Sequence, residues 1–257
     1  MRTLRTIGEA RQELQAFRRG RTVGPVPTMG ALHAGHLALI EAARSECDAV
    51  VVSLFLNPAQ FDDDADLDAY PRDEERDAAM AGEAGADFLF APDPGEIYPP
   101  GFQTWVDVEE LSRGLEGAYR PGHFRGVATI CLKLFNIVRP QLAYFGQKDA
   151  QQIAVVRRMV RDLNLDLTVR SVPTVRDPDG LAISSRNVLL SAGEREAALA
   201  LPRALSTRDP AAARAALDGL DVDYVEIADF DPPVLAAAVR VGSTRLIDNV
   251  ILEEEER

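Results

Sequence analysis

The sequence predicts an α/β fold, a doubly wound parallel sheet followed by a smaller α+β unit, and three stretches carry that prediction. Thr22 to Val26 reads as a short extended run that passes through Pro27–His36 into a helix, because Leu37, Ile40, Ala43 and Cys47 recur at helical spacing. Ala49 to Leu56 is apolar except for Ser53, the pattern of a parallel strand buried on both faces. Gln141 to Phe145 reads as another strand, and Gly146-Gln147-Lys148-Asp149 then leads into a helix striped by Ile153, Val156, Val160 and Leu163. Strand, glycine, polar residues and helix start thus occur twice.

The other elements follow in chain order. Thr6-Ile7-Gly8-Glu9 has the form of a capping box and opens a helix to about Arg18. Arg72 to Glu83 reads as a surface helix, Asp87 to Phe90 as a strand, Pro92 to Gly101 as a loop and Thr104 to Val108 as a short edge strand. Gly117 to Val127 is a glycine-punctuated loop before an amphipathic helix with Val127, Ile130, Cys131, Leu134 and Val138 on one face. Leu167 to Val172 is a further strand. Arg176 to Gly180 has the composition of a hairpin tip. Alanine-rich helices near 193–205 and 210–218, with a strand at Asp223 to Ile227, make up the smaller unit, and Glu253 to Glu256 reads as a solvated tail.

Composition narrows the function. The chain has 257 residues, 46% hydrophobic and 27% charged, which is ordinary globular material. A net charge of −13 argues against a nucleic-acid partner, which needs clustered positive charge. No apolar run is long enough to span a bilayer. The N-terminal arginines are followed by no signal-peptide core, and two cysteines without motif spacing suit a reducing cytoplasm.

The chemistry-bearing residues gather at the ends of the predicted strands. A helix start offers backbone N–H groups and a positive dipole end to an anion, and Gly30 and Gly35 allow close approach there. His33 and His36, three residues apart, share one side of the first turn and could donate to phosphate oxygens. A capped, solvated helix start explains the same pair; a zinc site does not, because only His123 remains and Cys47 and Cys131 lie far apart. Asn57 and Gln60 follow the buried strand and face the same cleft by the strand-end rule. Asp62, Asp63, Asp64, Asp66 and Asp68 form an acidic loop, read as a solvated face with magnesium coordination as the sharper alternative. Arg120, His123 and Arg125 either bring cationic character to a helix start or simply cap it. Lys148 can reach a phosphate, Asp149 suits a helix cap, and Gln152 lies one turn on. Ser184, Ser185 and Arg186 suit phosphate oxygens, or an ordinary helix cap.

The His-x-Gly-His sequence resembles the signature of the nucleotidyltransferase superfamily, which includes class I aminoacyl-tRNA synthetases. The ordered set is more specific. Pro-Thr-Met-Gly-Ala-Leu-His-Ala-Gly-His, Asn-Pro-Ala-Gln-Phe, Asp-Leu-Asp-Ala-Tyr-Pro-Arg, Arg-Pro-Gly-His-Phe-Arg-Gly-Val, Tyr-Phe-Gly-Gln-Lys-Asp and Ser-Ser-Arg-Asn occur in that order. With Thr244-Arg245-Leu246-Ile247-Asp248-Asn249 they closely resemble the pantothenate synthetase (pantoate–β-alanine ligase) family over nearly the whole chain.

That resemblance implies a Rossmann-like domain over 1–174 that binds nucleotide and pantoate, and a C-terminal lid domain over 175–257, shortened between about Leu205 and Asp223. It implies that pantoate attacks ATP to give pantoyl-adenylate and pyrophosphate, and that β-alanine then displaces AMP. His36, His33, Lys148, Ser184, Ser185 and Arg186 match the family's catalytic contacts. Met29, Gly30, Ala31, Leu32, His33, Ala34, Gly35 and His36 would enclose ATP together with Gly146, Gln147, Lys148, Asp149, Val175, Ile183, Ser184, Ser185 and Arg186. Gln60 and Gln152 match the pantoate-binding glutamines, and Gln60 is also assigned to β-alanine. Ile183 stands where the family more often has methionine or leucine, a mild apolar exchange. Magnesium, a homodimer and a cytoplasmic location are expected from the family, with no metal ligand assigned. The competing readings are another small-molecule adenylyltransferase, which would transfer AMP to a phosphate without an amine, and a catalytically silent ATP-binding protein. Products formed with and without β-alanine separate all three.

Overall fold

The computed structural model describes residues 1–18, 20–61, 67–68 and 70–252. The acidic run Asp62, Asp63, Asp64 and Asp66, and the tail Glu253 to Glu256, lie outside the described residues. The chain forms two compact units, one of Met1–Phe145 with Val155–Val172 and the other of Gly146–Ala154 with Pro173–Arg257.

The first unit is built on a parallel sheet of β1 (Arg2–Leu4), β2 (Val23–Thr28), β3 (Ala49–Leu54) and β4 (Phe88–Phe90), in the order β1-β4-β3-β2. Val50, Val51 and Val52 are buried, as a strand covered on both faces requires. Helices α1 (Ile7–Phe17), α2 (Ala34–Glu46), α3 (Glu74–Glu83) and α4 (His123–Val138) accompany it. Thr6 and Glu9 form the expected capping box on α1.

Strands β5 (Leu142–Gly146) and β6 (Thr168–Val172) pair with each other as a separate two-stranded sheet. Two prolines in β2 explain the seam. Pro25 and Pro27 share the parity of Val23, whose N–H points away from β3 and reaches Gln141 Oε1 at 3.0 Å. Proline has no N–H to offer on that edge, so no continuous ladder can grow there. Side chains fill the gap instead: Tyr144 is fully buried, with its hydroxyl 3.4 Å from Cys47 Sγ.

Three expectations fail in this unit. Thr104 to Val108 is no strand; the Val106 N–H donates to Thr129 Oγ1 at 3.0 Å, so a helix side chain takes the place of a sheet neighbour. The loops expected over Pro92 to Gly101 and Gly117 to Val127 contain or adjoin short helices, Pro94–Ile97 and Glu116–Tyr119; α4 is amphipathic as expected, with Arg125, Lys133 and Asn136 on its one less buried face. Helix α3 lies on the surface as expected, with Asp77 and Ala81 buried on its inner face; the third departure is the burial of a charged residue there.

The second unit contains the first residues of α5 (Ala150–Asp162), then α6 (Ala192–Ala198), α7 (Ala200–Leu205) and α8 (Pro210–Ala216). An antiparallel sheet of β7 (Asp221–Ala228), β8 (Val234–Val241) and β9 (Thr244–Ile251) completes it. Leu235, Ala237, Val239 and Val241 pack against Leu201, Leu205, Ala213 and Leu217. A parallel α/β sheet plus a small α+β unit is the expected fold. Among the described residues no helix is long and apolar enough to cross a membrane.

Candidate active site

The junction after β2 is built around two imidazoles. His33 is the N-cap of α2, and its Nδ1 accepts the Gly35 N–H at 3.1 Å. His36, at the third helical position, accepts the His33 N–H on its own Nδ1 at 3.3 Å. A neutral imidazole that accepts on Nδ1 carries its proton on Nε2, so both rings become Nε2–H donors. The rings lie 4.1 Å apart between centroids. The backbone N–H groups expected to meet an anion are therefore partly engaged already, and the imidazoles stand in for them. Gly35 is what permits this. A Cβ there would lie 2.9 Å from His33 Cε1 and 3.0 Å from Nδ1, so the missing side chain makes room for a histidine ring.

A residue that the sequence pattern leaves on a solvated face anchors the same junction. The Asp77 carboxylate, 1% exposed, accepts the Ala31 and Leu32 N–H groups at 2.8 Å each. These bonds hold Ala31 at φ +52°, a left-handed conformation costly for a residue with a Cβ. The one sequence signal was that Asp77 lies four residues before Ala81 on a single helix face.

Gln60 is fixed from several directions. It ends a 3-10 turn, Pro58–Gln60, capped by Asn57. Asn57 Nδ2 donates to Gln60 Oε1 at 3.0 Å and to the Gly126 carbonyl at 3.1 Å, while the Tyr98 hydroxyl donates to Asn57 Oδ1 at 2.8 Å. Burial pushes the Tyr98 phenol pKa well above its ordinary value, so it remains a donor. With Oε1 occupied, the Gln60 amide presents Nε2 beside Met29 Sδ, 2.7 Å away. His123 is buried and donates from Nδ1 to the Gln60 carbonyl at 2.9 Å; Arg120 reaches the same oxygen at 3.5 Å. These two serve the Gln60 turn, and Arg125 lies 4.9 Å over the Trp105 ring. Helix α4 comes this close because residue 126 is glycine: a Cβ there would fall 2.2 Å from the Ala59 carbonyl oxygen.

The second unit holds the other cationic and hydroxyl groups. Gln147–Asp149 forms a 3-10 turn with Gly146 at its cap position, so Asp149 lies inside the helical run and is not its cap. Lys148 Nζ is 3.5 Å from Asp149 Oδ1. Gln152 is half-buried on the first turn of α5. The Arg176 hairpin forms as expected, and the Ile183 N–H donates to the Val175 carbonyl at 3.0 Å. Ser184 caps the 3-10 turn Ser185–Leu189, accepting the Arg186 N–H at 3.2 Å. Within the first unit Gln60 meets Met29, the first residue of the Met29–His36 stretch. Within the second the structure connects the Lys148 turn and the Arg176 hairpin through Asp248 and Asn249 of β9. Among the described residues, no group of three or more His, Cys, Asp or Glu could hold a metal ion.

A parallel α/β sheet whose strand opens into a His-x-Gly-His helix start defines a nucleotidyltransferase-type protein. The chain belongs to the pantoate-beta-alanine ligase family, whose model matches residues 2–251. It is 54% identical to the pantothenate synthetase of Heliobacterium modesticaldum over 262 residues, covering 92% of this chain and 93% of that one. It is 50% identical to that of Pelotomaculum thermopropionicum over 274 residues, covering 96% and 97%. The crystal structure of pantothenate synthetase from Thermus thermophilus superimposes with a TM-score of 0.91 at 47% identity, covering 98% of this chain and 99% of that one. Pantoate-beta-alanine ligase from Francisella tularensis, complexed with beta-gamma ATP and beta-alanine, gives 0.86 at 33% identity, covering 98% and 97%.

Proposed function

We propose that the chain is a pantoate–β-alanine ligase, condensing pantoate with β-alanine at the expense of ATP through a pantoyl-adenylate. The observation that carries this is the His33–His36 pair, two Nε2–H donors set at a helix N-terminus and fixed by their own backbone contacts. In the first step a pantoate carboxylate oxygen bonds to the α-phosphorus of ATP and the bond to the pyrophosphate oxygen breaks. Negative charge builds on the leaving pyrophosphate, where preorganised donors act most strongly. In the second step the neutral amine of β-alanine attacks the acyl carbon and AMP leaves.

The residue roles belong to the same proposal. His33, His36, Lys148, Ser184, Ser185 and Arg186 are assigned to the triphosphate. ATP is assigned to Met29, Gly30, Ala31, Leu32, Ala34, Gly35, Gly146, Gln147, Asp149, Val175 and Ile183 as well. Pantoate is assigned to Gln60 and Gln152, and β-alanine to Gln60. The oriented Gln60 Nε2 supports the first of these, since an amide suits hydroxyl and carboxylate oxygens. Magnesium is proposed to enter with the nucleotide, with no protein ligand assigned. We also propose a functional division, distinct from the compact units, into a nucleotide- and pantoate-binding domain over 1–174 and a lid domain over 175–257. A cytoplasmic homodimer acting on small molecules, without nucleic acid or membrane, completes the proposal.

The test is incubation with ATP, magnesium and pantoate, with and without β-alanine, followed by product identification. Pantothenate, AMP and pyrophosphate together support the reading. Adenylate transfer to a phosphorylated acceptor, or no pantoate-dependent pyrophosphate, would overturn it.

A further inference from the structure

Asp248 and Asn249 stand side by side on β9, and both are buried. The Asn249 amide donates to the Gln147 carbonyl at 2.9 Å and to the Lys148 carbonyl at 2.9 Å. An amide NH2 has two hydrogens, so both are committed to this one turn. Its Oδ1 takes a longer contact from Gln147 Nε2 at 3.4 Å. The amide is itself held in place. Asp248 Oδ1 accepts the Asn249 backbone N–H at 2.8 Å, and the carboxylate grips Arg176 through two bonds of 2.6 and 3.1 Å. Arg176 also donates to the Gly180 carbonyl at 3.2 Å and bridges to Ala182, so the same pair ties down the hairpin that leads to Ser184.

We propose that Asn249 is a positioning residue for Lys148, fixing the main chain from which the ammonium group is presented. This rests on the assignment of Lys148 to the triphosphate made above. A lysine is a point charge on four rotatable carbons, so its aim depends on where its Cα is held. The turn that carries Lys148 is only three residues long, and two of its carbonyl groups are tied to β9. Exchange of donor for acceptor reverses the sign of the contact. In Asn249→Asp a side chain of equal size faces two carbonyl oxygens with an oxygen of its own, and the turn is driven off.

The experiment compares Asn249→Asp, Asn249→Ala, Lys148→Ala and the double variant Lys148→Ala/Asn249→Asp in pantoate-dependent pyrophosphate release. Hydrogen exchange of the peptide spanning residues 146–154 is followed alongside. The expected result is a fall in kcat of about 10²-fold for Asn249→Asp, the scale of a displacement near 1 Å, with the pantoate KM little changed. Exchange in residues 146–154 should quicken in both Asn249 variants. The double variant should be no slower than Lys148→Ala, because a positioning residue has nothing left to position. Multiplied losses in the double variant, or unchanged exchange in both Asn249 variants, would overturn the proposal by showing a role elsewhere in the fold. If Lys148→Ala alone keeps near-normal pyrophosphate release, the assignment of Lys148 fails, and exchange still decides whether Asn249 anchors the turn.

Discussion

Replacing Gly35 with alanine separates the stability of α2 from the work of its histidines. The new Cβ would sit 2.9 Å from His33 Cε1 and 3.0 Å from Nδ1. Ordinary carbon contacts lie at about 3.5–4.0 Å, so the ring must retreat by about 0.5–1 Å. That movement stretches the 3.1 Å bond from the Gly35 N–H and disturbs the ring contact with His36. Donors displaced by about 1 Å cost about 10²-fold in rate. Alanine is favoured over glycine within a helix by about 0.5–1 kcal/mol, and the weakened His33 cap offsets that gain by a similar amount. In a chain of this size each term is about 1–4 °C in Tm, so the two together should leave Tm close to that of the parent. The assay pairs thermal denaturation with pantoate-dependent pyrophosphate release. Slower turnover in a protein of near-parent stability is expected. Full turnover would refute the claim that the His33 ring position matters, and a Tm raised by the whole helix-propensity gain would refute the close packing of residue 35 against that ring.

The other predictions address separate parts of the chain. Asp77→Ala leaves one buried and one part-buried N–H group without the carboxylate that accepts them, and should lower stability by about 2–4 kcal/mol in denaturant titration. Gln60→Ala and Gln152→Ala should raise the pantoate KM more than the ATP KM, and equal damage to both would move the acid pocket elsewhere. The Arg5 guanidinium bonded to Glu74 holds that carboxyl below the usual carboxylate range, against the opposing effect of burial. A pKa depressed by folding stabilises above the unfolded value, and the effect is lost as pH falls through the depressed one. Arg5→Met should therefore destabilise at neutral pH and converge with the parent in strong acid. Burial pushes the Cys131 thiol up to about 12, and Cys47 is buried and raised as well, so a thiol reagent at mildly alkaline pH should label neither until the protein unfolds.

Local chemistry was legible in the sequence, and distant partnership was not. Thr6 with Glu9, and His33 with His36, lie three residues apart, so their contacts follow from helix geometry alone. The valine run of β3 declares its burial. Asp77 sits in an acidic stretch that reads as solvated, because its partners Ala31 and Leu32 lie 46 and 45 residues upstream. Asn249 is 102 residues from Gln147, and its motif gave the resemblance without giving a role. Strand β8, Val234–Val241, with three alanines in succession, has no alternation to mark it, since every position but Arg240 is buried. The seam beside β2 was visible as two prolines, yet their effect depends on which edge their missing N–H groups would face.

The grouping of Gly146–Ala154 with Pro173–Arg257 bears on how such enzymes can recombine. A chimera between relatives with a single crossover near residue 172 would inherit Asn249 from one parent and Gln147, whose side-chain amide meets it, from the other. A cassette exchange that respects this bonding has to move two segments together. Over evolutionary time the strand β9 motif and the Lys148 turn are therefore expected to travel as linked traits, despite the long stretch of sequence between them.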